Sequence, residues 1–155
     1  MIIGVKIKKL KIFKDKIEVG EKINKPGFLM EVLRSDEGLL KKFGQTTFTK
    51  AYSGTIKAFH MHKHQDDLWF VASGKAKIVL CDMRKKSRTY KKVQEIISGE
   101  NEYKLVLIPS GVAHGYQVIS KGPVLLFYHT TKPYNKNNPD EIRFPYNDKE
   151  IGYRW

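Results

Sequence analysis

Hydrophobic and polar residues alternate with a period of two along most of this chain. Between Gly4 and Phe13, Val5 and Ile7 and then Leu10 and Ile12 interleave with lysines, the pattern of strands with one buried face. Comparable β-rich stretches recur at residues 29–33, 46–49, 55–61, 68–71, 76–80, 93–97, 105–108, 116–119 and 124–130. Turn formers separate them: Lys25-Pro26-Gly27, Ser73-Gly74, Ser98-Gly99-Glu100-Asn101, Pro109-Ser110-Gly111 and Lys121-Gly122-Pro123. Many short strands punctuated in this way predict an all-β sandwich or barrel. One helix is expected over residues 36–43, with Ser35 as its N-cap and Leu39, Leu40 and Phe43 on one side. From Lys132 onward Pro, Asn and aromatics dominate. That tail is expected to be irregular, anchored by Tyr134, Phe144, Tyr146 and Trp155, and to close over a sheet edge.

Length and charge narrow the class. A chain of 155 residues buries about 70% of its unfolded surface, which predicts a single domain over residues 1–155. Its longest apolar runs, 106–108 and 124–128, fall far short of the roughly 20 residues of a membrane span. No secretory signal pattern is visible at the start, so no membrane association and a cytoplasmic location are expected. The single cysteine, Cys81, excludes an internal disulfide and a multi-cysteine zinc site. Twenty-nine Lys+Arg against 16 Asp+Glu give a net charge of +13, which favours anionic partners. The lysines are dispersed, however, and no zinc-finger spacing, RNP-like motif or leucine heptad accompanies them. Nucleic acid is therefore not expected, whereas an anionic small molecule such as a sugar nucleotide fits.

The candidate chemistry lies in the histidines. His60, His62 and His64 alternate in His60-Met61-His62-Lys63-His64, so on a strand they project from one face. Around them stand Gly54, Asp67 and Gly74, and further on Pro109-Ser110-Gly111-Val112-Ala113-His114. This arrangement resembles the paired signature motifs of the cupins, with Asp67 where the pattern usually has Glu. The resemblance implies a double-stranded β-helix, or jelly-roll barrel, with few short helices and its site in the barrel mouth. His64 and His129 read as ordinary exposed or edge histidines, and Trp69 as a core residue.

A narrower resemblance follows. Phe43-Gly44-Gln45, the stretch from Asp82 to Tyr90, Ile108-Pro109-Ser110-Gly111-Val112-Ala113-His114-Gly115-Tyr116 and the closing Asn147-Asp148-Lys149-Glu150-Ile151-Gly152-Tyr153-Arg154-Trp155 are similar to the dTDP-4-dehydrorhamnose 3,5-epimerases over about residues 25 to 155. That likeness implies a homodimer acting without metal or other cofactor on a nucleotide-linked 4-keto-6-deoxy sugar, for surface polysaccharide synthesis. Inverting a carbon beside a ketone needs a base on one face, an acid on the other and support for the enolate. By resemblance His60 is the base and Tyr128 the acid. Tyr134 lies near the sugar, Gln45 and Glu31 contact the nucleotide, Lys57 holds the diphosphate and His114 lines the pocket.

The chain also departs from that family. Its Arg-Gly-x-His becomes Lys57-Ala58-Phe59-His60, and lysine lacks the bidentate guanidinium fork. Asp67 occupies the position of the enolate-supporting lysine, which leaves Lys63 as a substitute. Asp66, Asp67 or Asp148 must take over the orienting of the base. At the same place His60-Met61-His62-Lys63 resembles the sugar-nucleotide 3,4-ketoisomerases, in which His60 and His62 would share the proton transfers. Two further readings stay open: a metal-dependent cupin using His60, His62, His114 and Asp67, and a sugar-binding cupin without activity.

Overall fold

The computed structural model describes residues 1–16, 22 and 26–155; Lys25 of the first turn signal lies outside them. Twelve strands are present among these residues: β1 (Lys6–Lys9), β2 (Phe13–Lys14), β3 (Phe28–Leu29), β4 (Gln45–Ala51), β5 (Ile56–Met61), β6 (Asp67–Ser73), β7 (Lys75–Asp82), β8 (Val93–Gly99), β9 (Lys104–Ile108), β10 (Val112–Val118), β11 (Val124–Thr130) and β12 (Ile142–Arg143). They form two five-stranded antiparallel sheets, ordered β1-β9-β6-β11-β4 and β12-β5-β10-β7-β8, and a small β2-β3 pair. No described helix is long and apolar enough to cross a membrane.

The period-two pattern decides which residues meet between the sheets. Trp69, Val71, Val106, Ile108 and Leu126 of the first sheet pack against Ile78, Leu80, Val112, Tyr116 and Val118 of the second. The intervening residues are also buried, because each sheet is covered from outside. Met30, Val32, Leu33, Leu39 and Leu40 lie over Leu68, Phe70, Leu105, Leu107 and Phe127 of the first sheet. Phe144, Ile151, Tyr153 and Trp155 lie over Phe59, Val79, Cys81 and Ala113 of the second. Burial on both faces explains why 68–71 and 105–108 read as apolar runs rather than strict alternations. The result is the expected all-β cupin jelly roll, a sheet pair that closes the core and leaves one flank open.

Four expectations need correction. Of the strand expected at 29–33 only Leu29 is in a strand, Phe28–Leu29, and Met30, Val32 and Leu33 serve as irregular cover. The helix over 36–43 is absent. A single 3-10 turn at Ser35–Glu37 ends at Gly38, whose φ of 58° is left-handed, and Arg34 rather than Ser35 precedes it. Leu39 and Leu40 then serve as an apolar cover over the first sheet instead of a helix face. In the tail, Phe144 and Trp155 pack as expected, but Tyr134 and Tyr146 are 65% and 55% exposed, and Ile151 takes the anchoring place. The strand expected at 116–119 begins at Val112 instead.

Candidate active site

The open flank lies between β4 and β11 of one sheet and β5 and β12 of the other, and it holds a cavity of about 1190 Å³. Inward positions on these strands supply its wall. On β5, Phe59 turns outward into the cluster under the tail, so the following His60 turns in. Register places His60 opposite His114 of β10. Tyr128 comes from β11 on the facing sheet. Trp69 of β6 joins the two, with its ring centroid 6.0 Å from His60 and 6.5 Å from Tyr128.

Behind this wall the chain builds a compact polar group. His60, His62, Asp67 and His114 each offer a ligand atom, all within 4.8 Å of one another. His114 Nδ1 lies 2.9 Å from the Val112 carbonyl, and His62 Nδ1 bonds the Asp140 carbonyl. A carbonyl only accepts, so in both rings Nδ1 carries a proton and Nε2 is left to face the centre of the group. Both Nε2 atoms face the same carboxylate: His62 at 3.8 Å from Asp67 Oδ1 and His114 at 3.6 Å from Oδ2. Asp67 is held there by donors from Gln65 Nε2 (2.8 Å) and Trp69 Nε1 (3.3 Å).

Electrostatics follows from burial. Desolvation pushes the His60 pKa far below its ordinary value, and the neighbouring His114 adds to this, so its imidazole is neutral at physiological pH. Burial alone would raise the Asp67 pKa. The adjoining His114, His62 and Gln65 outweigh it and hold the carboxyl below its usual range. Burial raises the Tyr128 pKa, keeping the phenol protonated.

The residues singled out from the sequence divide clearly. His60, His62, Tyr128, Gln45, Lys57 and Tyr134 line the cavity; Gln45 Oε1 also accepts the Tyr134 backbone N–H at 2.8 Å. Asp67 and His114 stand behind it, each 2% exposed. Glu31 pairs instead with Arg34 at 2.9 Å. Exposed Lys63 gives its backbone N–H to Asp140 and is not among the lining residues. Of the three candidate aspartates, only Asp67 meets the histidines. Asp66 accepts the Ser110 N–H, and Asp148 caps the turn at Glu150 and Ile151. His64 is exposed, whereas His129 is half-buried and bonded to Thr46 at 2.8 Å.

Sequence reasoning missed four contributors. Asp140 fixes the 62–64 loop through its carboxylate as well as its carbonyl, from 78 residues away in sequence. Thr47 and Thr49 line the cavity beside Gln45; their alternation on β4 was the available signal. Tyr116, two residues beyond His114, faces inward with them.

Comparison with known proteins bears directly on this geometry. The family model for dTDP-4-dehydrorhamnose 3,5-epimerase matches residues 2–155. The chain belongs to that family. Among relatives of this epimerase-family chain, the spore coat polysaccharide biosynthesis protein SpsL of Bacillus subtilis is 46% identical over 155 residues, covering 100% of this chain and 97% of SpsL. The probable low-salt glycan biosynthesis epimerase Agl13 of Haloferax volcanii is 31% identical over 131 residues, 83% of this chain and 84% of Agl13. The epimerase RmlC of Legionella pneumophila, solved with dTDP-4-keto-L-rhamnose, superposes with a TM-score of 0.81 at 25% identity, over 97% of this chain and 78% of that one. A dTDP sugar isomerase from Desulfovibrio desulfuricans shares the fold with a TM-score of 0.86 at 24% identity, over 99% and 92% of the two chains.

Proposed function

We propose that this protein is an epimerase that inverts C3, C5 or both of a dTDP-linked 4-keto-6-deoxy sugar in surface polysaccharide precursor synthesis. The observation that carries this reading is the placement of His60 and Tyr128 on opposite sheets across one cavity. Inversion needs a base and an acid on opposite faces of the sugar ring, and this arrangement supplies one from each side. Neutral His60 takes the proton from the carbon beside the ketone. Tyr128, kept protonated by burial, returns one to the other face. As the enolate forms, the ketone oxygen needs a hydrogen-bond donor, which the Asp67 carboxylate cannot supply at the family's lysine position; His62, next to His60 on the wall, supplies it with a proton on Nε2. Lys57 and Gln45 take the diphosphate and nucleotide side. SpsL and Agl13 support the polysaccharide assignment by their names. The protein acts as a cytoplasmic homodimer in this reading, which the exposed apolar side chains of Phe28, Leu29 and Phe48 support; light scattering of the purified protein checks it.

The test is proton NMR of dTDP-4-keto-6-deoxyglucose incubated with metal-stripped protein in deuterated water. Loss of the C3 proton, the C5 proton or both, with the ketone kept at C4, is expected, and His60→Asn should abolish it. Loss at C3 alone with a 3-keto product would replace the epimerase by the 3,4-ketoisomerase.

The donor set favours one second reading. Three imidazoles and a carboxylate within 4.8 Å of one another, two of the rings with Nε2 turned to the carboxylate, fit a divalent cation such as Fe, Mn, Ni or Zn. His60, His62, His114 and Asp67 would hold it, and it would polarise a substrate oxygen. Elemental analysis of protein purified without chelator decides: stoichiometric metal, with exchange lost on stripping and recovered on reloading, would displace the metal-free mechanism.

A further inference from the structure

The Tyr116 hydroxyl is buried and has no hydrogen-bond partner. The residue is 3% exposed, and its side chain lines the cavity. An orphaned buried hydroxyl is costly, while phenylalanine would fill the same space without that cost. Thr49 is the polar side chain that interacts with the phenol, and it stands beyond hydrogen-bond length of the hydroxyl. The Trp69 ring meets Tyr116 edge-on at 5.8 Å, and Leu126 of the facing sheet lines the same cavity. The Thr49 hydroxyl nearby receives the Lys57 ammonium at 2.9 Å.

We propose that the Tyr116 hydroxyl is a specificity-determining contact that hydrogen-bonds a hydroxyl group of the bound sugar. This rests on the epimerase reading and adds a residue to it. Two features select a sugar hydroxyl over other ligand atoms. Tyr116 is two positions from His114 on the same inward face, roughly 7 Å along the strand, so it addresses a substituent and not the carbon at His60. Its ring neighbours Trp69 and Leu126 are apolar and disfavour a phosphoryl charge, which would lose hydration there, whereas Lys57, its register partner on β5, ends in an exposed ammonium on Thr49, and Lys42 and Lys132 also line the cavity for the diphosphate. A buried polar group that only the right ligand satisfies discriminates strongly against ligands lacking the hydroxyl.

Tyr116→Phe tests this with two readouts of opposite sign. Without ligand, its melting temperature should equal or exceed that of the wild type, because the orphan is removed. In calorimetric titrations its affinity for dTDP should stay within about twofold, while that for unreactive dTDP-glucose falls about tenfold, the worth of one hydrogen bond. A lower melting temperature would assign the hydroxyl a structural role and overturn the proposal. Equal losses for dTDP and dTDP-glucose would move the contact to the diphosphate, and unchanged dTDP-glucose affinity would remove it altogether; either result overturns the proposal. Wild-type protein that binds neither ligand would sink the epimerase reading itself, and this inference with it.

Discussion

Gly115 is where fold and chemistry are most tightly joined. It lies on β10 between His114, which pairs with His60, and Tyr116, which pairs with Lys57, at the point where the register against β5 slips. A Cβ at Gly115 would stand 2.4 Å from the Ala58 Cβ, 2.7 Å from its Cα and 2.7 Å from the Lys57 carbonyl oxygen. Carbon atoms pack at about 3.5–4.0 Å, so Gly115→Ala requires the strands to part by about 1 Å. None of the three atoms is the free end of a flexible side chain. Overpacking of this kind costs about 1–3 kcal/mol, which for a domain of this size lowers the melting temperature by roughly 2–12 °C. The larger effect is on chemistry, because β5 carries His60 and a displacement of about 1 Å costs on the order of 100-fold in rate. Thermal unfolding and the rate of solvent-deuterium uptake into the sugar measure the two effects. Gly122→Ala, where an added Cβ meets nothing within 4 Å, is the control and should change neither. An alanine at 115 that left melting unchanged and exchange within about threefold would refute the reasoning that this close approach positions the base.

Other outcomes follow from the same geometry. Because burial and His114 hold His60 neutral, the acid limb of kcat/KM should show no step near the ordinary histidine value of about 6.5; a limb at pH 6–7 would exclude a desolvated His60 as the base. The unfolded chain protonates His60 below about pH 6.5 while the native state does not, so this group's stabilising contribution is complete above that pH and is lost as pH falls below it. Denaturant midpoints between pH 7 and 5 measure it, and a midpoint that rises on acidification would contradict the sign. Tyr128→Phe should retain deuterium exchange through His60 yet lose roughly 100-fold or more of inverted product; inversion at wild-type rate would remove Tyr128 as the acid. Asp82 is fully buried and accepts hydrogen bonds from Arg84 Nε (2.7 Å), Ser87 Oγ (2.7 Å) and Thr89 Oγ1 (2.6 Å). Asp82→Ala strands the Arg84 charge and should cost about 3–5 kcal/mol, so a melting temperature within 2 °C of the wild type, on the order of the assay's scatter, would show that this network adds little.

How far the sequence carries depends on whether a residue's partners are near it or patterned with it. Strand positions were legible because lysines and aliphatics alternate, and His60, His62 and His114 because short motifs bracket them. The helix over 36–43 failed on Gly38: its left-handed conformation ends the turn, and Leu39 and Leu40 satisfy the apolar spacing by covering a sheet. β10 was placed too late because Gly115 weakens the strand signal; the same glycine is required there by the approach of Ala58. Asp140 had no local signal, since the loop it fixes is distant in sequence and the contacts run partly through its backbone. Tyr116 is a different case. Its position two residues after His114 was plain, and an inward tyrosine on a central strand is read as packing. Only when the sheets close around it, with Trp69 on one side and the cavity on the other, does its hydroxyl stand without a hydrogen-bond partner, and that missing partner is what gives the residue a chemical purpose beyond filling the core.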